Sequence, residues 1–194
     1  MSEPALLLPG WGTHPCRLAP MADGLRADGI DAEIWSYRPE GTLEDLTHRL
    51  QTAMHDARQP VHLVGHSLGG IVAASAALRD PEAVTSVTTI NAPWRGTWVS
   101  FTGHGPLADA LRWRSRELTA LRDRLDAASD PRPSWLLLGV LADLATPATT
   151  ALRAGARTVR RRVVPGAGHS LCLGSERLIE QVRGHVTLTR TLPA

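Results

Sequence analysis

VHLVGHSLGGIVAASAAL, Val61 to Leu78, joins a short apolar run to a run of small residues through Gly65-His66-Ser67-Leu68-Gly69-Gly70. The apolar run reads as a buried strand and the small-residue run as a helix, so the six residues between them must turn the chain sharply. Gly65-His66-Ser67-Leu68-Gly69 fits G-x-S-x-G. In a strand-turn-helix setting that spacing puts the serine at a strained tip, tolerable only where close neighbours lack side chains. Gly65 and Gly69 meet that need. The same geometry sets Ser67 at a helix N-terminus and turns the Leu68 N–H toward any oxyanion formed beside it. A plain glycine-rich turn has the same letters, so the stretch does not settle its own meaning.

Outward from this segment, apolar runs bounded by Gly, Pro or Asn recur at 5–9, 32–37, 61–65, 84–91, 135–140 and 159–166, and read as six strands. Helical periodicity falls between and after them, at 18–27, 42–57, 68–79, 106–128 and 175–188. Alternation of this kind predicts an α/β fold: about six strands, mostly parallel, with helices on both faces. Thr42 followed by Asp45 suits a helix start, and Pro81 stops the helix that begins at Leu68. Leu107, Leu111, Leu118, Leu121 and Leu125 form one apolar stripe. It suits a crossover helix packed on the sheet, and residues 94–133 as a whole are either that crossover or a small lid.

Composition bounds the function. The chain has 194 residues, 43% hydrophobic and 21% charged, which suits one domain over 1–194 with a substantial core. Net charge is +2 and the only dense basic run is Arg160-Arg161-Arg162, so no basic face for nucleic acid is expected. The N-terminus carries Glu3 and a run broken by Pro9 and Gly10, which is not a signal peptide. That points to the cytoplasm, although a secreted chain trimmed of its leader reads the same. No run reaches the roughly 18 apolar residues of a membrane span, so no stable membrane insertion is expected. Cys16 and Cys172 lack metal-ligand spacing and are expected as reduced thiols. Neither metal nor cofactor is called for.

A serine hydroxyl reacts only when a base takes its proton and a third group orients that base. In an open parallel sheet such groups belong just beyond the carboxyl ends of strands. Gly166-Ala167-Gly168-His169 supplies a glycine-flanked histidine after the last strand, and Ala142-Asp143-Leu144 an acid after the fifth. His48, His55, His62 and His185 lie in helical or strand segments and read as structural, whereas His14 and His104 lie in loops. Asp123, Asp126 and Asp130 read as surface acids, behind Asp143. The order Ser67, Asp143, His169 is that of the α/β-hydrolase arrangement, whose second oxyanion donor lies after the first strand. Pro9-Gly10-Trp11-Gly12 stands there, which nominates the Trp11 N–H to join that of Leu68.

These residues resemble the α/β-hydrolase superfamily, and within it small bacterial serine esterases and lipases. The resemblance spans nearly the whole chain, from LLLPGWGTHP through VHLVGHSLGG, SVTTINAPWRGTW and LLLGVLADLATP to VVPGAGHS. It implies Ser67 as nucleophile, Asp143 as acid, His169 as base, and Trp11 and Leu68 as the oxyanion hole. Pro9-Gly10 stands where many members carry His-Gly, so a loop-fixing histidine is missing, and the chain has no large cap. An apolar wall from Trp94, Trp98 and Phe101, with His14 and His66 beside it, is expected to favour small-molecule acyl esters of short to medium chain. Thioesterase or lactonase activity would use the same groups, and a non-catalytic binding scaffold would use the fold alone. A monomer or homodimer is expected.

Overall fold

The computed structural model describes residues 3–128, 133–155 and 158–190. Its strands are β1 (Ala5–Leu8), β2 (Ala32–Ile34), β3 (Val61–His66), β4 (Val84–Ile90), β5 (Ser134–Ala142) and β6 (Arg160–Ala167). They form one sheet in the order β2-β1-β3-β4-β5-β6, and every neighbouring pair is parallel. The helices are α1 (Ala19–Ala27), α2 (Leu43–Asp56), α3 (Leu68–Arg79), α4 (Pro106–Ala110), α5 (Arg116–Ala127), α6 (Ala148–Ala151) and α7 (Glu176–Arg190).

Period-two alternation along the strands divides the core in two. Leu7, Val64, Ile90 and Leu138 meet α1 and α7 through Met21, Leu25, Val182 and Val186. Leu6, Leu63, Val87 and Leu137 face the other way, onto Leu50, Ile71 and Leu121 from α2, α3 and α5. Helix α3 is buried on every side from Leu68 to Ala77, which explains its small apolar residues: it lies between the sheet and other helices, and larger side chains would hold it off.

Connectivity places the site. From β1 the chain passes to β2 on one side, then returns past β1 to β3 on the other. The crevice at such a reversal opens beyond the carboxyl ends of the two strands, here between the loop after β1 and the turn after β3.

The boundaries expected from sequence shift for local reasons. The helix expected over 106–128 is two, α4 and α5, because Arg114 takes a left-handed φ of 58° and Ser115 then caps α5 by accepting the Leu118 N–H at 3.2 Å. Its leucine stripe is nonetheless buried as one surface, Leu107 and Leu111 beside Leu118, Leu121 and Leu125. Strand β2 ends at Ile34, before Tyr37, and the single turn of α6 follows Pro147 unannounced by periodicity. Thr42 caps α2 as expected, exchanging hydrogen bonds with Asp45 in both directions. No helix among the described residues is long and apolar enough to cross a membrane.

At the opposite end of the sheet from the crevice, His185 of α7 is buried, its Nδ1 2.8 Å from Thr88 Oγ1 and its Nε2 3.1 Å from Ser134 Oγ. Burial, with Arg160 and His62 nearby, pushes its pKa from 6.5 down to about 3. The unfolded chain takes up this proton below its ordinary pKa, and the folded chain does not until near pH 3. Its contribution is therefore fully present above the ordinary pKa and is lost, at about 1.4 kcal/mol per pH unit, as pH falls toward the folded value. Urea unfolding between pH 7 and pH 4 should show this decline, and His185→Gln should flatten it by one histidine's share.

Candidate active site

Ser67 has φ 52° and ψ −120°, a conformation that costs an L-residue about 1–3 kcal/mol and survives only where its surroundings enforce it. The enforcement is close approach of main chain. A Cβ on Gly65 would stand 2.4 Å from the Gly69 carbonyl oxygen, and one on Gly69 2.5 Å from that of Leu8. A Cβ on Gly10 would stand 2.8 Å from Ser67 Cβ, so the loop after β1 lies directly against the serine. The Ser67 N–H donates to the Ile90 carbonyl at 2.8 Å, and the Ser67 carbonyl accepts from Gly70 and Ile71 as α3 begins.

Three loops bring three side chains into line. His169, just beyond β6, has Nε2 2.8 Å from Ser67 Oγ and Nδ1 2.7 Å from Asp143 Oδ2. Asp143, just beyond β5, is buried, and its Oδ1 accepts the Ala145 and Thr146 N–H groups at 2.9 and 3.0 Å. Both carboxylate oxygens are thus committed. An acceptor on Nδ1 keeps the proton there and leaves the Nε2 lone pair facing the serine hydroxyl.

The loop after β1 carries Trp11, which lines the same cleft as Ser67 and His169. Among the described residues neither the Trp11 nor the Leu68 N–H is taken by a protein acceptor. The residue before Gly10 is Pro9 rather than a histidine, and its carbonyl accepts the Tyr37 hydroxyl at 2.7 Å while the Tyr37 ring stacks on Trp35 with centroids 5.1 Å apart. Burial raises the Tyr37 pKa, so the hydroxyl keeps its proton to donate. In sequence Tyr37 closes the second apolar run, 32–37, which says nothing of where the hydroxyl reaches.

The cleft has a volume of about 350 Å³. Thr97, Val99, Gly103 and Leu111 line it with Trp11, Gly103 lying against the Trp11 ring, and Ala145 joins them from the acid loop. The five expected pocket residues lie elsewhere. Trp94 is fully buried in the core, its Nε1 donating to Thr89 Oγ1 at 3.4 Å. Trp98 is 60% exposed and ties the wall to the acid loop, with Nε1 2.8 Å from the Leu144 carbonyl. Phe101 is exposed under the Arg112 guanidinium, 5.7 Å from its ring centroid. His14 is exposed and bonds Cys16 Sγ at 2.9 Å, and His66 is buried beneath the site. For Trp94, Trp98 and Phe101 the placement follows the path of the chain after β4. Gly96, with φ 96°, turns it where a Cβ would strike Trp113 Cα at 2.5 Å, which sends Trp94 inward and Thr97 and Val99 to the cleft. Asp123 and Asp126 are exposed on α5, Asp130 lies outside the described residues, and among those described no group of three or more His, Cys, Asp or Glu is placed to hold a metal ion.

Comparisons agree with this architecture. The family described as α/β hydrolase fold matches residues 36–110. Pimeloyl-[acyl-carrier protein] methyl ester esterase of Vibrio parahaemolyticus is 30% identical over 103 residues, covering 47% of this chain and 40% of the relative. The esterase of the same name from Vibrio campbellii is 29% identical over 103 residues, covering 47% and 41%. The matched stretch thus spans about two fifths of the length of these curated relatives. Among solved structures, the monoacylglycerol lipase of Paleococcus ferrophilus superposes with a TM-score of 0.72 at 16% identity, covering 98% of this chain and 96% of its own. Bacillus licheniformis lipase BlEst2 in mature form superposes with a TM-score of 0.77 at 14% identity, covering 95% and 92%. Such identities speak for the fold. With its parallel sheet and helices on both faces, the chain has the α/β-hydrolase fold.

Proposed function

We propose that the protein is a serine hydrolase that cleaves carboxylic esters of short to medium acyl chain through an acyl-enzyme, with residues 1–194 acting as one α/β-hydrolase domain. The observation that carries this reading is the hydrogen-bonded line from Asp143 through His169 to Ser67, with contacts of 2.7 and 2.8 Å, at a serine held in a strained turn. Ser67 Oγ attacks the ester carbonyl while His169 Nε2 takes its proton and passes it to the departing alkoxide. Asp143 holds the ring in its tautomer and stabilises the imidazolium. The unpartnered N–H groups of Trp11 and Leu68 receive the tetrahedral oxyanion, and a water, activated by His169, then releases the acid.

The cleft supports the choice of substrate. At about 350 Å³ it sits near the lower end of ligand pockets, which run from about 300 to 1,000 Å³. Trp11, Val99 and Leu111 supply an apolar wall with no charged side chain to meet an ionic acyl group. The curated relatives are named as methyl ester esterases, which is the same reaction class, so a carrier-linked acyl methyl ester belongs in the substrate panel beside graded p-nitrophenyl esters and thioesters.

On p-nitrophenyl butyrate, Ser67→Ala should lower kcat by roughly 10³-fold or more with the melting temperature retained, and Asp143→Asn by a comparable factor. A fluorophosphonate should label Ser67 in the wild type, and undiminished turnover by Ser67→Ala, or no labelling, would count for a binding scaffold or another nucleophile. Tyr37→Phe should cost about 1–3 kcal/mol of stability, because the Pro9 carbonyl loses its donor, and should lower kcat without abolishing labelling. Thermal melts and steady-state kinetics on the same preparation check both effects.

A further inference from the structure

The groups surrounding His169 do more than fill space. Its strand, β6, is an edge strand on which Val164 alone is buried, and the loop it opens passes through Gly168 with φ 79°. Side-chain packing on the strand therefore does little to hold the base. Its main-chain carbonyl is held instead. That oxygen accepts from His66 Nε2 at 2.9 Å, from Asn91 Nδ2 at 3.3 Å and from the Cys172 thiol at 3.2 Å.

The first two donors come from the carboxyl ends of central strands, and both side chains are fully buried. A carbonyl only accepts, so His66 must carry its proton on Nε2. Its Nδ1 is then an acceptor, 3.4 Å from the Thr13 hydroxyl, whose oxygen lies 3.1 Å from Ser170 Oγ. Burial and the neighbouring His169 hold the His66 pKa down at about 3, so the ring stays neutral. Its centroid is 4.7 Å from that of His169, where a second cation would oppose the imidazolium formed in the proposed reaction.

Asn91 carries the other half of the support. Its Oδ1 accepts the Val140 N–H at 2.8 Å and its own N–H donates to Leu138 at 2.9 Å, so one side chain links the acid-bearing strand to the base-bearing loop. It does this from a left-handed φ of 49°, a conformation glycine would adopt more cheaply but without either side-chain bond.

We propose that His66 and Asn91 are positioning residues for His169, a paired brace that fixes the main chain of the base so that its ring meets Ser67 and Asp143 together. The proposal rests on the serine-hydrolase reading. A displacement of about 1 Å at such a group costs on the order of 10²-fold in rate, so losing one brace should lower kcat by about 10- to 100-fold with KM unchanged.

The test compares His66→Leu, His66→Gln, Asn91→Ala and Ser67→Ala by ester kinetics, by the rate of fluorophosphonate labelling and by the downfield proton NMR signal of His169 Nδ1–H. His66→Leu and Asn91→Ala are expected to lower kcat and labelling rate by the same factor and to broaden the signal. His66→Gln, which returns an N–H donor to the His169 carbonyl, is expected to recover most of the rate and a sharp signal, a rescue that mere filling of space would not give. Wild-type kcat in Asn91→Ala, or a His66→Gln variant no better than His66→Leu, overturns the brace. Should His66→Leu not fold, Asn91→Ala and His66→Gln decide alone: wild-type kcat in the first, or a loss in the second as large as that of Asn91→Ala, overturns it. Activity that survives Ser67→Ala instead removes the serine-hydrolase reading, so the two failures are distinguishable.

Discussion

Ser67 holds a backbone conformation, φ 52° and ψ −120°, that a residue with a Cβ adopts only under compulsion, and the arrangement around the site depends on how that compulsion is applied. Main chain packs where side chains would ordinarily stand: Gly65 against Gly69, Gly69 against Leu8, and Gly10 against Ser67 itself. These approaches draw the ends of β1 and β3 together at the place where the strand order reverses. One set of contacts therefore strains the serine, starts α3 directly behind it and brings the Trp11 loop to its side.

The strain is local and its support is spread over the sheet. Asp143 is fixed by two backbone N–H groups within its own turn, which suits an acid whose strand is central and buried. His169 sits beyond an edge strand and is supported from beneath by polar groups of β3 and β4. The loop after β1 is supported by a tyrosine from beyond β2. In each case a buried carbonyl or carboxylate would be costly without a donor, so geometry and polar satisfaction are met by the same bonds.

Much of this was legible in the chain. Alternating apolar runs and helical periods correctly implied a largely parallel sheet covered on both faces, because each side chain's choice of face is a local matter of period two against period 3.6. The elbow was legible for a similar reason, since only Gly at Gly65 and Gly69 admits the main-chain contacts of such a turn. Asp143 and His169 were nominated by their places after strands, and the structure brings both to Ser67. The pocket was not legible. Trp94, Trp98 and Phe101 share a loop, which suggests one wall, yet Gly96 turns that loop so that one enters the core and two face outward. Period carries no information once a segment leaves helix and strand.

By itself, then, the amino-acid sequence determined the succession of strands and helices, the strained turn at Ser67 and the short list of groups able to serve it, all consequences of spacing along the chain. Tertiary structure alone decided which side chains line the cleft, that Tyr37 holds the Pro9 carbonyl, that α4 and α5 are separate, and that His66 and Asn91 converge on the carbonyl of a residue 103 and 78 positions away. Those are contacts between atoms distant in sequence, and their partners are set by strand order and sheet twist rather than by any local pattern.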